Sequence, residues 1–302
     1  MGKRVGFVGL GNMGKPMSLN LLKKGVDLTV FDLRSESMED LLARGAKGAE
    51  SPKELAARVD VVITMLPGPP EIREAVLGAT GLVTGLRPQS VLIDMSTSSP
   101  TLTKELAQRL AEIQCEVLDA PVTRGIPAAE SGTLTIMVGG NRAALEACRD
   151  LLEAMGSEIL YIGNHGMGHA MKLVNQLISH TELVAICEAF ALGTRAGLEP
   201  QTIFDVVTRA SGNSFIFQYK APRIVHHNYE PGFTVDLLYK DLDLAAGLGR
   251  ELGVPLFLTN LAVQVCQAAR VLGLSKKDGA SMVTLYEKPL DRSSEAAGPS
   301  TT

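Results

Sequence analysis

The sequence predicts an α/β fold: a doubly wound, mostly parallel sheet, followed by an all-helical second domain joined to it by a long helix. Three observations predict it. Short apolar, β-branched runs alternate with helix-length segments through the first half of the 302-residue chain. A glycine-rich turn closes the first of these runs. From Gly166 the alternation stops, and the pattern is helical almost to Tyr286. The expected division is therefore a sheet domain over 1–164, a helical domain over 165–290, and a polar tail of small residues, 291–302, read as disordered.

Val5 to Val8 reads as a buried parallel strand, and the residues after Gly14 read as a helix with Met17, Leu21 and Leu22 on one face. Pro16 fits because the first helical turn needs no N–H there. Between strand and helix lies Gly9-Leu10-Gly11-Asn12-Met13-Gly14. A GxGxxG pattern alone is weak, but in this setting each glycine has a task. Gly9 allows the tight turn, Gly11 lets the backbone approach a pyrophosphate, and Gly14 lets the helix pack close to the strand. The next strand, Asp27 to Phe31, leads to Asp32, eighteen positions beyond Gly14. An acid at that distance can bond both ribose hydroxyls of an adenosine and repel a 2′-phosphate. The expected cofactor is thus NAD. Arg34, two positions on, leaves NADP as a weaker alternative.

The alternation continues through a short segment near 46–49, a helix from Pro52, a strand Val59 to Met65, and a helix near Pro70 to Leu77. It goes on with a strand Ser90 to Asp94, a helix Pro100 to Ile113 and a strand Glu116 to Asp119. Two further strands, Leu134 to Val138 and Glu158 to Ile162, bracket a helix from Arg142 to Met155. In such sheets ligands bind at the carboxyl ends of the strands. Three polar loops sit there: TMLPGPP at 64–70, DMSTSSP at 94–100 and DAPVTRG at 119–125. Each could be a simple capped loop, but three on one rim suggest a site. In the second half, the long helix spans Gly168 to Ala196, with an apolar stripe through Met171, Val174, Ile178, Leu183 and Phe190 expected to face inward. Helices Pro200 to Arg209, Val235 to Leu252 and Leu256 to Leu272 follow.

Composition excludes several classes. Hydrophobic residues make up 45% in short runs, and no run is read as a membrane span. The start MGKRVGFVG leads straight into a strand and leaves no room for a signal peptide, so a cytoplasmic protein is expected. The net charge of −4 comes without a basic cluster, which argues against nucleic acid as a partner. Cys115, Cys148, Cys187 and Cys266 are scattered singly and read as buried free thiols, with no metal-ligand spacing. His226 and His227 are adjacent and point different ways, so they do not form a shared ligand pair.

GFVGLGNMG, DMSTSSP, DAPVTRG, GMGHAMKLVNQ and KDLDLA, in this order across nearly the whole chain, resemble the sequence signatures of the 3-hydroxyisobutyrate dehydrogenase (β-hydroxyacid dehydrogenase) family. The resemblance implies a Rossmann-type domain, a helical domain and an active site in the cleft between them. It also implies a dehydrogenase that moves a hydride between NAD and a small 3-hydroxy acid or its semialdehyde, as a homodimer or homotetramer. By that resemblance Lys172 is the general acid/base. Burial beside the positive charge of the oxidised nicotinamide is expected to lower its pKa toward working pH. Asn175, one turn on, is placed to hydrogen-bond the substrate. Leu66, Pro67 and Thr97 are expected along the nicotinamide ribose and carboxamide, and Lys240 at the nicotinamide end; Asp241 more plausibly orients its helix. Thr123, Arg124 and Gly125 form the substrate loop. The family pattern there is most often Ser-Gly-Gly, so Arg124 departs from it. Arg124 either points outward or holds a second anionic group. The second reading makes the chain an NADH-dependent reductase of an aldehyde of the sulfolactaldehyde, 2-formylglutarate or tartronate semialdehyde type. A noncatalytic dinucleotide-binding module is the remote alternative, disfavoured because Lys172 is present.

Overall fold

The structure, a computed structural model, describes residues 2–287; the expected tail at 291–302 lies outside the described residues. Contacts divide the chain into two compact units between Val174 and Asn175.

The first unit is built on nine strands: β1 (Arg4–Val8), β2 (Asp27–Phe31), β3 (Lys47–Gly48), β4 (Val61–Thr64), β5 (Val91–Asp94), β6 (Glu116–Asp119), β7 (Val122–Thr123), β8 (Leu134–Gly140) and β9 (Gly156–Gly163). Their order is β3-β2-β1-β4-β5-β6-β8-β7, with β9 paired to β8. From β3 to β6 every pair is parallel. The order reverses direction at β1, which makes the end of that strand the topological switch point. Register brings the carboxyl ends abreast: Val8 pairs with Phe31 and with Thr64, Thr64 with Asp94, and Asp94 with Asp119. The loops after these strands therefore share one rim. Parallel strands are buried on both faces, and β1 shows how. Val5 and Phe7 enter one core with Met17 and Leu21, while Val8 enters the other with Leu55 and Ile72.

Two pieces of this unit were not legible. β7 and β8 pair antiparallel, as do β6 and β8, and a helix Gly125–Ser131 follows the DAPVTRG loop. Helix Glu39–Ala43 was also not anticipated. All four cysteines are buried and free, and burial pushes the Cys148 thiol up to about 11.

The second unit consists of helices, among them Pro200–Val207, Phe215–Val225, Val235–Leu252 and Phe257–Val271. Phe190, Phe217, Ile224, Leu238, Leu242 and Cys266 meet in its core. Hydroxyl caps start two of the helices: Phe217 N–H donates to Ser214 Oγ and Leu237 N–H to Thr234 Oγ1. Helix Phe215–Val225 contains Pro222, a residue that breaks the helical reading of that stretch. A fully buried ion pair joins Lys220 Nζ to Asp278 Oδ2 at 2.7 Å.

The long helix, Met167–Arg195, begins within the sheet unit. It runs through the division between the units, rather than beginning after it, because its first turn packs into the sheet unit: a Cβ on Gly168 would stand 2.5 Å from Asp119 O. By length and composition alone it is long and apolar enough to cross a membrane, a test that the core helix of a protein outside the membrane passes as well. And the apolar stripe does not face inward at its start. Val174 is 49% and Ile178 60% exposed, with Met171 also exposed, whereas Lys172, Gln176 and His180 are buried. Leu183 and Phe190, further along, are buried as expected. The inversion has a physical cause: the polar side chains find hydrogen-bond partners inside, Leu173 is buried beside them, and Met171, Val174 and Ile178 are left outside.

Candidate functional site

The glycine loop has the space and the backbone angles that its three expected tasks need. Gly9 sits at φ +94°, and a Cβ there would lie 2.3 Å from Met65 O, so the turn is closed to any side chain. A Cβ on Gly14 would lie 1.9 Å from Gly9 O, which shows how tightly the first helix, Gly14–Lys23, meets the strand end. Gly11 has nothing within 4 Å of its missing Cβ. That open side is where a pyrophosphate can reach the backbone, and the residues fit a dinucleotide for this reason. Asp32 braces the same loop: its Oδ2 accepts from Leu10 N–H at 2.7 Å and its Oδ1 from Arg34 N–H at 2.9 Å. The Arg34 guanidinium lies 3.6 Å from Asp32. A cavity of about 420 Å³ opens here, lined among others by Leu10, Gly11, Asn12, Lys15, Arg34 and Ile126. Ile126 belongs to the Gly125–Ser131 helix. Asn20 pins that helix to the first one, with its Nδ2 donating to Ala129 O at 2.8 Å.

Along the rim, buried acids organise the next two loops. Asp94 Oδ1 accepts from Thr64 Oγ1 at 2.9 Å and from Ser96 N–H at 3.1 Å, and Ser96 Oγ accepts from Leu66 N–H at 2.9 Å. The Leu66-Pro67 and Ser96-Thr97 segments are thereby held as one piece. Asp119, at the end of β6, caps the long helix instead, with Oδ1 accepting from Gly166 N–H and Oδ2 from His169 N–H, both at 2.9 Å. Burial pushes the Asp119 carboxyl up from its ordinary value, and the nearby His169 and these N–H groups oppose that. Gly166 lies at φ +88°, and a Cβ on Gly168 would stand 2.4 Å from Met137 O. Both glycines of GMGHAMK are required by close approach.

Lys172 follows on this helix. It is only 6% exposed, and its Nζ donates to Val122 O at 2.7 Å. Val122 is in β7, immediately before Thr123, so the ammonium is tied to the strand that feeds the DAPVTRG loop. Arg124 adopts φ +86° and ψ 3°, the left-handed region, with its side chain exposed, and Gly125 follows at φ +73°. For a residue with a Cβ this conformation costs about 1–2 kcal/mol, a cost that glycine does not carry.

In the helical unit, Lys240 Nζ lies 3.0 Å from Asp241 Oδ1, and Asp241 Oδ2 accepts from Gln176 Nε2 at 2.7 Å. Gln176 Oε1 in turn accepts from Asn175 Nδ2 at 3.0 Å. One buried amide and one buried carboxylate thus connect Asn175 with Lys240. The sheet unit collects Gly9 to Gly14, Asp32, Leu66, Pro67, Thr97, Thr123 to Gly125 and Lys172; the helical unit holds Asn175 and Lys240. Sequence reading missed the groups that hold them, namely Asp94, Ser96, Asp119, His169 and Gln176. Asp94 and Asp119 carried a usable signal: each closes an apolar strand and opens a polar loop, as Asp32 nearly does.

Comparison with known proteins agrees with this geometry. Residues 4–163 match the NAD binding domain of 6-phosphogluconate dehydrogenase, and residues 166–286 match the NAD-binding region of NADP-dependent 3-hydroxyisobutyrate dehydrogenase. A 2-(hydroxymethyl)glutarate dehydrogenase from Eubacterium barkeri is 36% identical, over 94% of this chain and 95% of that protein. The mitochondrial 3-hydroxyisobutyrate dehydrogenase of Mus musculus is 37% identical, over 92% of this chain and 85% of its own. Among solved structures, the Mycobacterium tuberculosis 3-hydroxyisobutyrate dehydrogenase with L-serine superposes with a TM-score of 0.87 at 32% identity, covering 95% of this chain and all of that one.

Proposed function

Because the chain belongs to the 3-hydroxyisobutyrate dehydrogenase family of NAD(P)-dependent oxidoreductases, we propose that it transfers a hydride between NAD and a small 3-hydroxy acid, interconverting that acid with its semialdehyde. The observation that carries this is Lys172, an almost fully buried ammonium held against the strand that leads into Thr123. The nicotinamide cofactor, whose pyrophosphate Gly9 to Gly14 would hold, would supply the hydride acceptor or donor. Lys172 accepts or gives the hydroxyl proton at Nζ, and the fixed bond to Val122 O sets where that proton moves. Thr123 and Gly125 hold the acid's carboxylate through hydroxyl and backbone donors, and Asn175 bonds the substrate from the long helix. Leu66, Pro67 and Thr97 flank the nicotinamide and its ribose, and Lys240 serves the nicotinamide end, oriented by Asp241. Gly9 to Gly14 seat the pyrophosphate. The Asp32 carboxylate favours NAD over NADP by opposing a 2′-phosphate. The exposed Met171, Val174 and Ile178 support association with a second copy of the chain.

A second reading rests on Arg124. An exposed arginine held in the left-handed region suits a substrate with a second anionic group, and the Eubacterium barkeri relative is named for a dicarboxylic acid. One experiment tests both: NADH formation with 3-hydroxyisobutyrate and with 2-(hydroxymethyl)glutarate, for wild type, Lys172→Ala and Arg124→Gly. Lys172→Ala lowers kcat by about 10²- to 10⁴-fold while NAD still binds. More than half of wild-type kcat in that variant overturns the acid/base assignment. If Arg124 holds a second anion, Arg124→Gly lowers kcat/KM for the dicarboxylic acid by roughly 10- to 150-fold and spares the other. Equal losses return Arg124 to a surface role.

A further inference from the structure

We propose that His169 is a positioning residue that sets Lys172 against the Thr97 and Leu66 loops, an inference that rests on the roles proposed for Lys172 and Thr97. His169 is fully buried in the first turn of the long helix. Its Nε2 lies 3.1 Å from Ser96 O and its Nδ1 2.6 Å from Thr103 Oγ1, while its backbone N–H donates to Asp119 Oδ2 at 2.9 Å. One residue therefore bears on the ends of β5 and β6 and on the helix Pro100–Ala111, which carries Thr103.

The partners fix the ring's proton. Ser96 O can only accept, so Nε2 carries a hydrogen, and Nδ1 faces the Thr103 hydroxyl. With these contacts both ring nitrogens are satisfied, as a fully buried imidazole requires. Asp94 Oδ2 stands 3.8 Å from Nε2, beyond hydrogen-bond reach.

The contact with Ser96 O has leverage because the other polar groups of Ser96 are engaged as well, with Asp94 through its N–H and with Leu66 through its Oγ. The carbonyl held by His169 belongs to the peptide that joins Ser96 to Thr97. Lys172 lies three residues further along the helix, on the same side. Loss of the imidazole removes the tie between the helix start and the Ser96-Thr97 loop, leaving only the backbone bonds to Asp119, and so loosens the spacing between the proton-transfer group and any reactant seated on Thr97. A general acid displaced by about 1 Å costs on the order of 10²-fold in rate.

The test compares His169→Gln with His169→Leu in the full chain, with NAD and 3-hydroxyisobutyrate as probes. Glutamine can donate its amide N–H to Ser96 O and turn its carbonyl toward Thr103; leucine fills similar space with neither group. His169→Leu is expected to lower the single-turnover rate of NADH formation at least 10-fold, with NAD affinity by calorimetry within about 3-fold of wild type, and His169→Gln to restore most of that rate. Should His169→Leu not fold, Thr103→Val, which removes one of the two ring contacts, is expected to slow the same step. In a Lys172→Ala background, adding His169→Leu is expected to cause no further loss. Nitrogen NMR of the histidine-labelled apoprotein reads the tautomer without turnover, and Nε2–H is expected. A fully active His169→Leu or Thr103→Val variant, no rescue by glutamine, an additive loss in the Lys172→Ala background, or an Nδ1–H ring would each overturn the proposal. An active Lys172→Ala single variant would instead remove the acid/base assignment on which it stands, and that result is visible without any His169 substitution.

Discussion

Alanine at Gly14 and alanine at Gly11 should separate folding from cofactor binding within one loop. A Cβ on Gly14 would lie 1.9 Å from Gly9 O, against an ordinary contact that begins at 3.4 Å, so helix and strand must part by 1.5 Å. They cannot part freely, since Phe7 Cε1 stands only 3.1 Å from the same point. Overpacking of this kind costs about 1–3 kcal/mol, and a backbone oxygen with a core ring behind it puts Gly14→Ala at the upper end. At about 2–4 °C per kcal/mol for a domain of this size, the sheet unit's Tm should fall by roughly 6–12 °C. At Gly11 nothing lies within 4 Å and φ is not in the left-handed region, so the substitution should move stability by no more than about 0.5 kcal/mol. The new methyl instead stands where the pyrophosphate approaches. Loss of one charge-assisted bond, about 1.5–3 kcal/mol, raises the Kd for NAD by roughly 10- to 150-fold. Scanning calorimetry and NAD titration calorimetry read the two quantities separately. Equal losses of Tm in the two variants, or wild-type NAD affinity in Gly11→Ala, would refute the assignment of space in this loop.

Asp32→Asn should narrow the ratio of kcat/KM for NAD over NADP, because it removes the charge that opposes a 2′-phosphate; a wild-type enzyme that prefers NADP would sink the argument. Asp278→Asn leaves Lys220 buried beside a neutral amide, and breaking such a pair costs about 3–5 kcal/mol. Burial already pushes the Lys220 ammonium down, with Asp278 opposing, so an unchanged urea midpoint for the helical unit would be inconsistent with a paired charge. Asp60 is held below the usual carboxylate range by its hydrogen bonds to Arg4. Its contribution is therefore present above the unfolded carboxylate pKa and lost as pH falls through the lowered folded value, and Asp60→Asn should flatten the acid side of the stability profile. The effect is small because both partners are part-exposed.

The parallel strands and the capped helices were legible because local rules and global packing agree there. Val5 to Val8 is short, apolar and closed by glycine, and Val235–Leu252 begins at Thr234 and ends at Gly253 with φ +68°, the cap residues that sequence reading looks for. Legibility fails where a residue's environment is supplied from far along the chain. β7 is two residues long and exists through its pairing with Ile136 and Thr135 of β8. Helix Gly125–Ser131 is seven residues and carries no periodic stripe; it ends at Gly132 in a left-handed conformation and is tied down by Asn20. The site residues that came from motifs are those proposed to act directly on cofactor or substrate, such as Lys172 and Asp32. Their supports, such as Ser96 and Gln176, are ordinary polar residues whose role appears only when the loops are brought together.

The long helix shows why composition misled. Lys172, Gln176 and His180 recur every four residues, so each is rotated by only about 40° from the last, and the three form one inward stripe. An inward polar group is expensive unless paired, at about 1–3 kcal/mol by mutational measures. Each of these is paired: Lys172 with Val122 O, Gln176 with Asp241, and His180 with Gln176, whose Nε2 lies 3.0 Å from the ring Nε2. Hydropathy scores a side chain by its transfer to hydrocarbon, whereas this stripe enters an interior already furnished with acceptors. Val174 and Ile178, which hydropathy would bury, occupy the opposite side by the same geometry. Past His180 the rule returns, with Leu183 and Phe190 packed into the helical core. A single helix thus changes what it buries along its length. The polar stretch is the one that carries the proton-transfer candidate, and there the requirement to hold charged and hydrogen-bonding groups in place outweighs the preference for apolar burial.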